Sequence, residues 1–163
     1  MSSRLFQEIR ERRGLVYTIA SYASSYGDAG LFVVYAGMSP HVGPEVIRLT
    51  LEELEKVKLD PVDESELQRA KESLKGSLML SLESTGSRMS KLARSEIYHG
   101  RQLSLDELIS RVDAVTAADV RRLANELLHP RRLSLAAIGP FRSDGQLAAS
   151  MRKAFQTYVE ART

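Results

Sequence analysis

The sequence predicts an α+β fold, a mostly antiparallel sheet with helices packed on one face. Three observations lead there. The chain opens on a helix-period stretch, a glycine, and two apolar, β-branched runs joined by a glycine-containing turn. A long series of segments follows, their apolar residues recurring three and four positions apart between Gly, Pro and capping residues. One further β-rich run, LSLAAI, precedes a last helical stretch. Strands at the two ends with helices between them do not make the alternating pattern of a parallel sheet. With 163 residues, 43% of them hydrophobic and 27% charged, the chain has the size and composition of one domain with its own core.

Each element has a local reason. After the polar Ser2-Ser3, the segment Arg4 to Arg13 puts Leu5, Phe6 and Ile9 on one side, the mark of an amphipathic helix. Gly14 stops it, because glycine takes the left-handed conformation without a Cβ penalty. Leu15 to Tyr22 reads as a strand, Ser24 to Gly30 as a turn, and Leu31 to Ala36 as a second strand, together an antiparallel hairpin. The second strand is apolar on both faces, which predicts a place inside the sheet under helices. Pro44 begins a helix to about Leu59, with Ile47, Leu51, Leu54 and Val57 as its buried stripe and Glu52, Glu53, Glu55 and Lys56 on its wet face.

Asp63 with Glu66 caps a long helix carrying Leu67, Ala70, Leu74, Leu78 and Leu82. Gly76 within it suggests close packing, and Met79-Leu80 suggests heavy burial. Thr85 to Ser87 bends or interrupts the chain before a helix from Arg88 to His99, which Gly100 ends. Ser104 with Glu107 and Thr116 with Asp119 cap two more helices, and His129-Pro130 stops the second. Leu133 to Ile138 is expected as a third strand, and Leu147, Met151, Ala154 and Phe155 mark a terminal helix.

Composition excludes several functions. A net charge of +2 from 23 basic and 21 acidic residues gives no electrostatic case for nucleic acid. Absence of cysteine rules out disulfides and thiolate metal sites and fits a cytoplasmic protein. No apolar run reaches membrane-span length, so no membrane partner is expected. The three histidines, His41, His99 and His129, stand in loops or at helix ends, none beside another at metal-ligand spacing, so this chain should bind no zinc by itself. Two side chains near the start could meet a ligand. Arg10 on the helix offers five donors and Tyr17 on the strand offers one. Folding the strand back beside the helix could bring both to one surface; spacing alone reads them as an ordinary surface Arg and strand Tyr.

The wording of MSSRLFQEIRERRGLVYTIASY adds to this. It resembles the opening of the second-half domain of the insulinase/pitrilysin family, zinc peptidases that include mitochondrial processing peptidase, and especially the bacterial processing-peptidase-like branch. The likeness continues in Gly30-Leu31-Phe32, in ELQRAKESLK from Glu66 to Lys75, in Ser81 to Thr85, and in AAIGP from Ala136 to Pro140. It thus runs in order from Met1 to about Phe141.

The resemblance implies a processing-peptidase-like metallohydrolase fold. It also implies that a strand and a helix normally preceding this stretch are missing, so residues 1–163 read as a single truncated second-half domain. In the family, zinc is held by a His-x-x-Glu-His motif and a later Glu of the first half; the second half contributes an Arg and a Tyr seven residues apart. Arg10 and Tyr17 stand at that spacing and take those substrate-binding roles by resemblance. No catalytic or metal-binding residue is expected in this chain. The implied partners are a zinc-bearing first half, on the same or a separate polypeptide, and peptide substrates, with exposed sheet edges open to homo-oligomer formation. The implied function is the non-zinc half of a zinc metalloendopeptidase. The alternative is a non-catalytic scaffold or assembly subunit of the same fold.

Overall fold

The computed structural model describes residues 3–141 and 145–162. Met1 and Ser2, which open the family-like phrase, lie outside the described residues. The chain divides into two compact units, Met1–Asp60 with Leu123–Thr163, and Pro61–Arg122.

In the first unit, a π-helical turn, Phe6–Glu11, leads through Gly14 (φ +62°) into strand β1, Val16–Ser25. A turn closed by the Tyr26 N–H donating to the Ala29 carbonyl at 2.8 Å returns the chain as β2, Gly30–Met38. The two strands pair antiparallel, Ile19 opposite Ala36 and Ser21 opposite Val34. Helix α1, Gly43–Leu59, covers one face of this hairpin. Ile9, Val16, Ile19, Val46 and Leu49 are buried together there, and Val34, Ala36 and Met38 of β2 pack against them. The opposite face shows Tyr22, Leu31 and Tyr35 to solvent. The α+β fold with helices on one face of an antiparallel sheet is therefore what the chain forms.

A second apolar cluster joins α1 to the terminal helix α6, Gln146–Glu160, through Ile47, Leu51 and Met151. Gly43 permits this approach. A Cβ there would stand 2.9 Å from the Met151 Sδ, closer than real contacts allow. Glu53 and Glu55 depart from the solvated face expected of them. Glu53 is buried with Lys56 at 2.5 Å, and Glu55 takes a hydrogen bond from Tyr158 and an ion pair from Lys58 at 3.2 Å. Burial raises the Glu55 pKa, but the Tyr158 and Lys58 hydrogen bonds outweigh it and hold the carboxyl below its ordinary range. Burial, reinforced by Glu55, pushes the Tyr158 phenol up to about 12.

The second unit contains α2, Glu64–Ser81, α3, Thr85–His99, and α4, Leu105–Asp113. Helix α5, Ala117–Leu127, starts there. Asp63 stands at the N-cap of α2 without a side-chain cap hydrogen bond, its carboxylate accepting from the Ser65 hydroxyl, while the other two caps are as the sequence predicts. The Glu107 N–H donates to the Ser104 hydroxyl at 3.1 Å, and Thr116 and Asp119 bond reciprocally at 3.0 and 3.1 Å. Gly100 ends α3 at φ +63°.

Four further expectations fail. Leu133 to Ile138 forms no strand; after a short turn at Pro130–Arg132 the chain runs without ladder pairing, and among the described residues the sheet has two strands. It follows that, among the described residues, β2 pairs on one side only, where a place inside the sheet is expected. Met79 and Leu80 are exposed rather than buried. Gly76 has open space around it, so no close neighbour explains it.

Candidate functional site

The opening helix, glycine and strand place Arg10 and Tyr17 on two backbone irregularities. Arg10 lies in the π-helical turn, a form that appears mostly as single turns at functional positions. The neighbouring Ile9 is wholly buried and anchors the turn, which leaves Arg10 facing outward and exposed. The Gly14 N–H donates to the Arg10 carbonyl at 2.9 Å, closing the helix end with its single left-handed residue.

The guanidinium of Arg10 lies over the Phe6 ring, 5.0 Å from its centroid. Its neighbours are used differently. Arg12 and Arg13 both reach Glu8, at 2.9 and 2.6 Å. The Arg13 hydrogen bond outweighs the effect of burial and, with Arg12, holds the Glu8 carboxyl below its ordinary range. Among the described residues, Arg10 has no carboxylate partner. Its donors remain open to a ligand, which is what a binding Arg requires.

Tyr17 is the extra residue of a β-bulge. Val16 pairs with Met38 and Thr18 with Gly37, so two steps along β1 answer one along β2. Tyr17 is 72% exposed. Bulges of this kind re-aim a side chain and are frequent beside functional sites. Opposite the bulge, Gly37 leaves room for Thr18, whose Cγ2 would sit 3.1 Å from a Cβ at that position. The bulge also shows in the burial pattern along β1. Val16 and Ile19 are both buried yet three apart, where an unbroken strand would space them by two. Arg10 and Tyr17 therefore flank one tight turn, both exposed, with no hydrogen bond between them among the described residues.

Glu83, within the family-like stretch from Ser81 to Thr85, and the three histidines fall elsewhere. Glu83 is exposed in the turn after α2, where its N–H donates to the Leu80 carbonyl at 3.2 Å. His41 Nδ1 lies 2.9 Å from the Ser39 hydroxyl, and His129 Nδ1 accepts the Arg131 N–H at 3.3 Å. His99 stands in the last turn of α3. These rings belong to three separate local structures. No group of three or more His, Cys, Asp or Glu able to hold a metal exists among the described residues. The described residues do not fit a zinc site. No described helix is long and apolar enough to cross a membrane.

Comparison with known proteins converges on one family. Residues 1–74 match the family model described as the peptidase M16 inactive domain. A protein named uncharacterized zinc protease from Streptomyces coelicolor is 44% identical over 142 residues, covering 87% of this chain and 31% of its own. The uncharacterized zinc protease YmxG of Bacillus subtilis is 42% identical over 140 residues, covering 86% and 34%. Among solved structures, complex III2 from Candida albicans, bound to Inz-5, shares the fold with a TM-score of 0.70 at 24% identity, over 77% of this chain and 30% of that one. A conserved protein from Enterococcus faecalis aligns with a TM-score of 0.65 at 29% identity, over 76% and 28%. The chain spans about a third of the length of the zinc proteases it matches. It belongs to the peptidase M16, insulinase-type family, as its inactive, second-half domain.

Proposed function

We propose that this member of the inactive-domain group is the substrate-binding half of a zinc metalloendopeptidase, acting with a half that carries zinc and the general-base carboxylate. One observation carries this reading. The first strand is interrupted at one position, Tyr17, whose side chain is presented to solvent, and across the Gly14 turn stands an arginine with no described carboxylate partner. The chemistry is that of fixed donors. An extended peptide offers backbone carbonyls; the Arg10 guanidinium can hold one, and the Tyr17 hydroxyl can donate to an oxygen that gains negative charge as the peptide bond is attacked. Donors set in place before charge develops are worth most where water is excluded, which the closing of two halves would provide. Zinc chemistry and water activation belong to the other half, and this chain orients the substrate.

The test is zinc-dependent peptidase activity of this chain alone, and of this chain mixed with its His-x-x-Glu-His-bearing counterpart. Activity is expected only in the mixture. Removing one such donor costs about a hundredfold in kcat, so Tyr17→Phe should lower kcat by about that much, and Arg10→Ala should raise KM as well. A complex that forms but never gains activity would instead identify an assembly subunit. Activity from this chain alone would overturn the division of roles.

A further inference from the structure

On the strand opposite the bulge, Tyr35 is set apart by where its hydroxyl lies. Residues two apart on a strand share a face, and here Tyr35 pairs with Ala20 and Gly37 with Thr18. Their neighbours Ile19, Val34 and Ala36 pack into the core under α1, so these four residues occupy the other face. Tyr17 joins them there, because the bulge gives β1 two consecutive exposed residues, 17 and 18, between the buried Val16 and Ile19. The Tyr35 side chain lies along β2 rather than standing up from it. Its hydroxyl is 3.7 Å from the point where a Cβ on Gly37 would stand, and that same point is 3.1 Å from the Thr18 Cγ2. The phenol oxygen thus ends above the rung formed by Gly37 and Thr18, the residue next to Tyr17.

Covering a glycine explains the ring but not the hydroxyl. An aromatic side chain laid over bare strand backbone shields it equally well as phenylalanine. Among the described residues the Tyr35 hydroxyl has no hydrogen-bond partner. Neither VYTIASYASS nor GLFVVYAGM contains a charged residue to engage it. The donor is exposed and open to a ligand. Tyr22 provides the contrast. It shares the face and is exposed too, but it stands four residues, about 13 Å, beyond Thr18 along β1.

We propose that Tyr35 is a further substrate-binding residue, whose hydroxyl donates to a backbone carbonyl of the same extended peptide that Arg10 and Tyr17 hold. This rests on the peptidase reading above. Carbonyls on one side of an extended peptide recur every second residue, about 7 Å apart. A peptide fixed at Tyr17 therefore offers Tyr35 an oxygen outside the reacting bond. That oxygen gains no charge as the bond is attacked. Tyr35 accordingly holds ground state and transition state alike, and its contribution belongs to KM rather than kcat.

The test sets Tyr35→Phe beside Tyr17→Phe in the zinc-dependent mixture of the two halves, on one capped peptide that the mixture cuts. Tyr35→Phe keeps the ring over Gly37 and removes only an exposed donor, so the fold is retained. KM should rise about three- to tenfold, the worth of one neutral hydrogen bond, with kcat unchanged. Tyr17→Phe should instead lower kcat, and Tyr22→Phe should change neither. An unchanged KM, or a loss in kcat alone, would overturn the role of Tyr35 and leave those of Arg10 and Tyr17 standing. A second readout needs no activity. The full chain, carrying ring-labelled tyrosine and mixed with its zinc-free counterpart, is titrated by NMR with an acetylated, amidated peptide of alternating alanine and serine. The Tyr17 and Tyr35 ring signals should move together with one Kd while Tyr22 stays in place. Joint movement in a mixture that never cuts peptide would retain the Tyr35 site and sink the peptidase reading. Movement of Tyr17 alone, or of neither at millimolar peptide, would sink the Tyr35 proposal.

Discussion

The two units use similar sequence patterns to different ends. In the first, the apolar positions of the opening turn, β1 and α1 converge, and Ile9 is completely buried among them. In the second, Leu67 and Leu103 are the buried apolar residues, while Leu74, Met79, Met89, Leu92 and Ile97 remain exposed on helices of equally clear periodicity. Polar ties hold that unit instead. Lys75 pairs with Asp113 at 2.9 Å, Lys91 donates to the Leu103 carbonyl at 3.0 Å, and Arg101 grips Glu107 with two bonds at 2.6 and 2.8 Å. Exposed pairs of this kind contribute only about 0–1 kcal/mol each. Amphipathic spacing thus announces that a face wants covering, not that it is covered, and the first unit should resist local opening far better.

That contrast can be broken or sharpened by measurement. The largest effect is expected at Ile9, where Ile9→Ala should cost about 2–5 kcal/mol in chemical denaturation, since the side chain is wholly buried and its loss leaves a cavity. A loss under about 1 kcal/mol would mean that the first unit is not the stable one. Next is a cap in the second unit. Ser104→Ala should cost about 1 kcal/mol and should speed amide exchange in α4 first.

Smaller still is a pH effect. The Arg101 hydrogen bond, helped by Arg111 and opposed by desolvation, depresses the Glu107 carboxyl to about 2. A depressed folded-state pKa stabilises above the unfolded value of 4.5 and is lost as pH falls toward 2. Carboxyl NMR should show Glu107 titrating at about 2, and Arg101→Ala should return it toward 4.5. Smallest is Ile97→Ala. That side chain is 75% exposed, and stability should move by less than about 0.5 kcal/mol. A large loss there would show that this face is covered after all.

What the sequence disclosed follows from range. Gly14, Gly100, the Ser104 cap and the Thr116–Asp119 box act within a few residues, and each stands where the sequence puts it. The hairpin is local too. Leu133 to Ile138 has strand composition, but a strand exists only by pairing, and its partner must come from far along a chain or from outside it. Glu55 looked like one more surface carboxylate because Tyr158, which hydrogen-bonds it, lies 103 residues away. For the candidate site, the positions of Arg10 and Tyr17 were legible through resemblance. The π turn and the bulge were not, as both are ways in which a regular element yields to the packing of Ile9, Val16 and Ile19.

The bulge at Tyr17 also separates what the hairpin needs in order to fold from what it carries. Deleting this one residue in thought leaves Val16 opposite Met38, Thr18 opposite Gly37 and Ile19 opposite Ala36, an uninterrupted ladder with the same side chains in the core. The strand would be more regular without it. Tyr17 is thus a passenger in the architecture, an insertion that the ladder accommodates at the cost of a kink, and a chain with this residue deleted should still fold.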